Sequence, residues 1–116
     1  MQVIIYHNPR CSKSRQTLEL LRQNNITPTV IEYLKEPPTH QQLDSILRGL
    51  DKNPRELMRT NEAEYKELKL DNTELTRDQL IHAMTETPKL IERPIVVAGD
   101  EIVIGRPPEA VLTILP

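Results

Sequence analysis

The start of the chain constrains the fold most, because two apolar runs there flank one amphipathic helix. The runs, residues 3–6 and 29–34, each predict a strand. Between them, Leu18 and Leu21 lie on the apolar face of a predicted helix that ends near Asn24. A crossover of this length usually joins parallel strands in a right-handed βαβ unit. The chain is therefore expected to begin with a parallel pair of strands.

The middle of the chain predicts helices and no strand. A Pro-Pro pair precedes Thr39, which with Gln42 has the pattern of a capping box. Three later pairs predict further helix starts: Asn53 with Glu56, Asn61 with Glu64, and Thr76 with Gln79. Short capped helices carry too little surface for a core of their own. We therefore interpret residues 39–87 as a helical insertion packed on the sheet of a single domain, residues 1–116.

The last third predicts a hairpin and a closing helix. Residues 94–97 and 102–104 are apolar and flank a turn that contains Gly99, which favours an antiparallel pair. Prolines open the final segment, residues 107–115, as they do in the first turn of many helices. The order βαβ, helical insertion, ββα predicts an α/β fold with a mixed four-stranded sheet.

Composition argues against several classes of function. The chain has one cysteine, so it forms no internal disulfide, and no Cys/His cluster has the spacing of a metal site. A net charge of −2 and the lack of Phe and Trp argue against a nucleic-acid-binding surface. Since neither a signal-peptide pattern nor a membrane-spanning run is found, we expect a cytoplasmic protein that binds no membrane.

The only cysteine, Cys11, lies at the predicted turn from the first strand to the first helix. The first N–H groups of a helix lack partners within it and favour negative charge. Cations and hydroxyls surround this cysteine in the sequence, at Arg10, Ser12, Lys13, Ser14 and Arg15. The alternative is a structural cysteine, but that residue is expected in an apolar segment. The setting predicts a reactive thiol with a pKa below the usual value of about 8.5.

Three arginines and a histidine are candidates to complete a site. Arg59 ends a predicted helix, Arg93 precedes a strand, and Arg106 follows the last strand. A guanidinium binds tetrahedral oxyanions through paired hydrogen bonds, so arginines near a thiolate favour an oxyanion substrate. The alternative for each is a solvated surface charge, and spacing alone does not show that they converge. His7 either tunes the thiolate or bonds to the loop backbone.

Four segments of the chain resemble the glutaredoxin-coupled arsenate reductase family. They are residues 6–9 leading into Cys11-x-x-Ser14-Arg15, then residues 56–59, 92–97 and 105–109. The resemblance implies a thioredoxin-like fold with a helical insertion. It implies that Cys11 is the nucleophile, that His7 and Ser14 favour its thiolate, and that Pro94 follows a cis bond. It also implies three oxyanion-binding residues, Arg59, Arg93 and Arg106.

The same resemblance implies reduction of arsenate to arsenite, a step of arsenic detoxification. Reduction needs a second thiol, which the chain lacks and which the family obtains from glutathione and glutaredoxin. We therefore expect arsenate as substrate and glutathione as co-substrate. We also expect a monomer with no bound cofactor.

Two alternatives share the fold. One is a non-enzymatic regulator that binds RNA polymerase; such proteins typically switch through Cys-x-x-Cys, whereas Ser14 replaces the second cysteine here. The other is a thiol transferase that acts on glutathione mixed disulfides.

Overall fold

The structure of the protein, a computed structural model, describes residues 2–115. Its strands and α-helices follow in the order β1 (Val3–His7), α1 (Ser12–Gln23), β2 (Thr29–Glu32), α2 (His40–Leu50), α3 (Ala63–Glu67), α4 (Arg77–Glu86), β3 (Ile95–Ala98) and β4 (Glu101–Ile104). Short 3₁₀ helices cover Pro54–Leu57, Pro88–Leu90 and Pro108–Ile114. The described chain divides into two compact units, one before Pro37 and from Arg93 onward, the other Pro37–Glu92.

The first unit contains a four-stranded sheet in the order β2-β1-β3-β4. Strand β1 pairs in parallel with β2 and antiparallel with β3, and β3 pairs antiparallel with β4. The predicted mixed sheet is therefore confirmed. Strand β2 ends at Glu32, two residues before the predicted end, because the N–H groups of Lys35 and Glu36 both donate to the Glu32 carbonyl and turn the chain.

One face of this sheet carries the core of the first unit. Alternation along the strands turns Val3 and Ile5 of β1 to the same face, and Leu18 and Leu21 of α1 pack there. Val111 of the closing 3₁₀ helix joins the same cluster. Burying each such side chain stabilises the fold by about 1.5–3 kcal/mol. The packing fixes α1, and with it the residue at its start, against the sheet.

The closing segment is a helix, as predicted, but of the 3₁₀ type over Pro108–Ile114. Pro107 and Pro108 have no N–H to donate, and the Thr113 hydroxyl donates to the Ala110 carbonyl at 2.7 Å. The Ala110 N–H donates to the Pro107 carbonyl three residues earlier, which is the hydrogen-bond spacing of a 3₁₀ turn.

The second unit consists of helices joined by turns, with a single isolated β-bridge between Met58 and Ile91. Capping boxes form at Thr39, Asn53 and Thr76, as predicted. The predicted short helix is confirmed as α3, but Asn61 is not its N-cap. The N–H of Glu62 donates to the Arg59 carbonyl, and this turn delays the helix so that Glu62 becomes its N-cap.

The two longest helices of the second unit, α2 and α4, contact each other. Their buried side chains are Leu43, Ile46 and Leu47 of α2 and Leu80, Ile81 and Met84 of α4. The unit contains the predicted insertion of residues 39–87 and extends beyond it at both ends. That the chain forms a single domain stays a prediction.

Candidate active site

Cys11 caps the start of α1. Its N–H donates to the Asn8 carbonyl at 3.0 Å, and its carbonyl accepts the N–H of Arg15, also at 3.0 Å. The residue is only 8% exposed. Because β1 ends at His7 and α1 begins at Ser12, the short loop between them holds the sulfur at the positive end of the helix.

The electrostatic surroundings lower the pKa of the Cys11 thiol. Burial raises this pKa, since a thiolate is less stable away from water. Hydrogen bonds from the Ser14 N–H, the Arg93 side chain and the Lys13 N–H stabilise the thiolate and outweigh burial. The fraction of thiolate at neutral pH is therefore larger than in an ordinary cysteine.

The β3–β4 hairpin brings two of the candidate arginines to this sulfur. Arg93 precedes β3 and Arg106 follows β4, and the pairing of Ile95 with Ile104 places both at the same end of the hairpin. The Arg106 Nε donates to the Arg93 carbonyl at 2.8 Å, and one of its terminal nitrogens lies 3.6 Å from Cys11 Sγ. Two guanidinium groups thus converge on the thiol.

The peptide bond between Arg93 and Pro94 is cis, as the family resemblance implies. A second cis bond joins Arg106 to Pro107. The sequence analysis did not predict this second cis bond.

Gly105 allows α1 to approach the hairpin. A Cβ at this position would lie 2.5 Å from Thr17 Oγ1 and 2.9 Å from Pro94 Cγ, well inside normal contact distance. The Gly105 N–H donates to the Pro94 carbonyl at 2.9 Å, and the fully buried Thr17 donates its hydroxyl proton to the Lys13 carbonyl at 2.8 Å. Sequence reasoning singled out neither Thr17 nor Gly105 alone, although a glycine at a strand end signals a close backbone approach.

His7 contacts Ser14. His7 Nδ1 and Ser14 Oγ form a hydrogen bond of 2.6 Å, and the Asn8 N–H donates to the same oxygen at 3.0 Å. The pKa of His7 is lowered, first by burial and then by Arg22 and Arg15, although Glu32 opposes them. The imidazole is thus mainly neutral at pH 7, and it supports the turn whose Ser14 N–H stabilises the thiolate.

The ArsC family model matches residues 6–114. This chain belongs to the ArsC family. Its mixed sheet with flanking helices is the thioredoxin-like fold of that family.

Relatives of this ArsC family chain match it along nearly all of its length. The uncharacterized protein YfgD of Escherichia coli K12 is 54% identical over 115 residues, covering 98% of this chain and 97% of that protein. The arsenate reductase of Haemophilus influenzae is 50% identical over 117 residues, 99% of this chain and 100% of its own. The solved structure of arsenate reductase from Vibrio cholerae is 52% identical, with a TM-score of 0.96 over 99% of this chain and 98% of that one.

Arg59, the third candidate arginine of this ArsC family chain, lies in the second unit. Its N–H donates to the Leu90 carbonyl at 2.7 Å. Its guanidinium donates to a carboxylate oxygen of Glu62 and to one of Glu92, each at 3.1 Å. Lys89 also pairs with Glu62, at 3.4 Å. Arg59 is thus held in a network of alternating charges.

Two further properties describe residues 2–115. Within them, no three or more His, Cys, Asp or Glu side chains form a group suited to hold a metal ion. A search of the same residues found no helix with the length and apolar character needed to cross a membrane.

Proposed function

We propose that this protein reduces arsenate to arsenite, with Cys11 as nucleophile and with glutathione and glutaredoxin as the external reductants. The observation that carries the proposal is the sulfur of Cys11, with its lowered pKa and an Arg106 nitrogen 3.6 Å away. Relatives named arsenate reductase support arsenate as the substrate. The proposal includes a monomer that acts in the cytoplasm, where glutathione keeps thiols reduced, and that needs no bound cofactor.

In the first step, the Cys11 thiolate attacks the arsenic atom of arsenate. An S–As bond forms and one As–O bond breaks, and the departing oxygen leaves as water after taking a proton from solvent. Arsenic stays in the +5 state. Arg93 and Arg106 lie beside the sulfur, and their positive charges offset the negative charge on the remaining arsenate oxygens. By the family resemblance, Arg59 contributes a third guanidinium to the oxyanion.

In the second step, external thiols supply two electrons. The sulfur of glutathione replaces another oxygen on arsenic, and a second water leaves. The glutaredoxin thiolate then attacks the glutathione sulfur, so an S–S bond forms and the As–S bond breaks, leaving its electron pair on arsenic. Water finally displaces Cys11, which is regenerated as arsenite departs. One arsenate and two thiols thus yield one arsenite, one disulfide and one net water.

The testing experiment is arsenate-dependent NADPH consumption, coupled through glutathione reductase, glutathione and glutaredoxin. We expect turnover in the wild type and none in Cys11→Ser, which retains the arginines and therefore still binds arsenate. Arg48→Ala is a control, because Arg48 is exposed and pairs with Asp44 in the second unit. Turnover in Cys11→Ser equal to wild type would disprove the nucleophile assignment.

A second assay separates this activity from a thiol transferase. A glutathionylated peptide is offered without arsenate, and the release of glutathione is followed. Glutaredoxin is omitted, because it reduces such disulfides itself, and the proposal predicts no release of glutathione above the rate without this protein. Rapid release that depends on Cys11 would identify a transferase.

A further inference from the structure

A cavity of about 360 Å³ lies in the first unit, beside the cysteine loop. Its walls are residues 7–10 of that loop and Glu32, Leu34 and Lys35 from the end of β2 and the turn after it. The volume falls in the range of small-molecule sites. The mechanism above assigns no role to Arg10, Glu32, Leu34 or Lys35.

The position of the cavity favours a ligand that reacts at Cys11. Strands β1 and β2 are parallel and in register from Ile4 with Thr29 to His7 with Glu32, so their carboxyl ends meet at this edge. Ligands of open α/β sheets bind in crevices outside the carboxyl ends of the strands. Arg10, in the cavity wall, directly precedes Cys11, and consecutive Cα atoms lie about 3.8 Å apart. A small molecule seated here is close to the nucleophile.

The charges of the cavity match those of glutathione. Two cations, Arg10 and Lys35, and one carboxylate, Glu32, line it. Glutathione carries two carboxylates, one ammonium and a thiol, so the cavity has one charge of opposite sign for each charge of the tripeptide. The apolar side chain of Leu34, which is 44% exposed, offers a surface for the methylene groups of the tripeptide.

The existing contacts of these side chains leave them available. Lys35 pairs with Glu32 at 3.6 Å, and the two side chains are 79% and 43% exposed. An exposed ion pair of this kind contributes little to stability. Exchange of that pair for the charges of a ligand therefore costs little.

We propose that this cavity binds glutathione and presents its thiol to the arsenic held on Cys11. Arg10 and Lys35 bind the two carboxylates, and Glu32 binds the ammonium. The proposal rests on the proposed function, since it supplies the thiol that the reaction lacks. The step is the substitution given above, in which a glutathione S–As bond forms, an As–O bond breaks and water leaves.

Direct binding tests the site without any arsenate. S-methylglutathione, which cannot react, is titrated into ¹⁵N-labelled wild-type protein. We expect saturable shifts of the backbone amides of Asn8, Arg10, Leu34 and Lys35. In Lys35→Glu we expect about fivefold weaker binding, because an attractive charge becomes a repulsive one. Lys66→Glu is the matched control, since Lys66 is an exposed lysine of the second unit, and it is expected to bind as the wild type does.

Kinetics with two thiols provides a second readout. In the NADPH-coupled assay, Lys35→Glu should raise the KM for glutathione about fivefold while leaving the KM for arsenate unchanged. In a second assay without the coupling enzymes, 2-mercaptoethanol replaces glutathione and arsenite is measured directly; Lys35→Glu should then match wild type. Glu32→Gln should also raise the KM for glutathione. Glu101→Gln, on the other edge strand of the sheet, should leave that KM unchanged.

The outcomes separate this proposal from the proposed function. Saturable amide shifts at the cavity without arsenate turnover would support the glutathione site and contradict the proposed reductase activity. Arsenate turnover with shifts elsewhere, or with equal effects of Lys35→Glu on both thiols, would overturn the site and retain the reductase.

Discussion

The arginines of the two units have different partners. Arg106, in the first unit, donates to the neutral backbone carbonyl of Arg93 and faces the Cys11 sulfur. Arg59, in the second unit, donates to the carboxylates of Glu62 and Glu92. The carbonyl orients the guanidinium of Arg106, and the two carboxylates balance the charge of Arg59.

The difference indicates which arginines control the thiol. Arg93 is among the groups that lower the pKa of Cys11. A cation whose charge is balanced locally exerts a weak field on other groups. We infer that arginines of the first unit set the pKa of the Cys11 thiol.

The largest expected effect comes from Arg93→Ala. Loss of this cation raises the pKa of the Cys11 thiol, so alkylation by iodoacetamide, which needs the thiolate, requires a higher pH. The rate rises with pH through the thiol pKa in both proteins, and the variant profile lies to the alkaline side. We also expect arsenate turnover at pH 7 to fall by about 10²–10³-fold.

The contrast with Arg59→Ala is the critical control for that prediction. This variant should raise the KM for arsenate and leave the pH profile of alkylation where it is in the wild type. If both variants shift the profile equally, the comparison between the two units is wrong.

Gly105→Ala should disturb the packing of α1 against the β3–β4 hairpin in the first unit without removing a charge. The new methyl group meets Thr17 and Pro94, so we expect a loss of about 1–3 kcal/mol in the free energy of unfolding, measured in urea. Turnover should fall as well, since Arg106 follows directly. Gly49→Ala, at an exposed position of α2, is the control and should be neutral or stabilising by up to about 1 kcal/mol.

A double variant distinguishes a steric effect at Gly105 from a backbone effect. Adding Thr17→Ala removes the hydroxyl that the methyl group strikes. We expect Gly105→Ala to cost less in that background than in the wild type. An equal cost in both would show that Thr17 does not cause the loss.

Ser14→Ala should affect stability more than the thiol. It leaves the half-buried Asn8 N–H without its acceptor, which costs about 1 kcal/mol in urea unfolding. Yet alanine keeps the Ser14 N–H that stabilises the thiolate. The pH profile of alkylation should therefore move less than in Arg93→Ala. A larger shift would show that the hydroxyl, not the N–H, controls the sulfur.

Glu62→Gln should have the smallest effect, about 1 kcal/mol or less in urea at pH 7. Burial raises the pKa of Glu62, but Arg59 and Lys89 outweigh it and hold the pKa below its usual range. The stabilisation is therefore present above the unfolded-state pKa of about 4.3 and is lost as pH falls through the lower folded-state value. The difference from wild type should shrink between pH 7 and pH 3. A constant difference would point to packing instead.

Features set by neighbouring residues were predictable from the sequence. The capping boxes at Thr39 and Thr76 each depend on a partner three residues away. The alternation and turn of the β3–β4 hairpin are equally local. Asn61 shows the limit, because the same signal failed where a turn with Arg59 shifted the helix start by one residue.

Long-range contacts were not predictable in this way. The sequence places Cys11 at a helix start, but the convergence of Arg93 and Arg106 depends on the sheet order. The contact of Thr17 with Gly105 joins residues far apart in the chain, and no periodic pattern marks it. The site was therefore predicted as a set of residue types, and the geometry came from packing.

The near-complete burial of Cys11 makes the site a steric filter. Cys11 is only 8% exposed and the pKa of its thiol is lowered, so we expect it to react with partners selected by size. A tetrahedral oxyanion is small enough to reach it, whereas the thiol of a folded protein is held back by its own surface. Under the proposed function, a small thiol therefore carries electrons between the arsenic and a protein reductant. The same shielding hinders two copies of the chain from joining through their only cysteines.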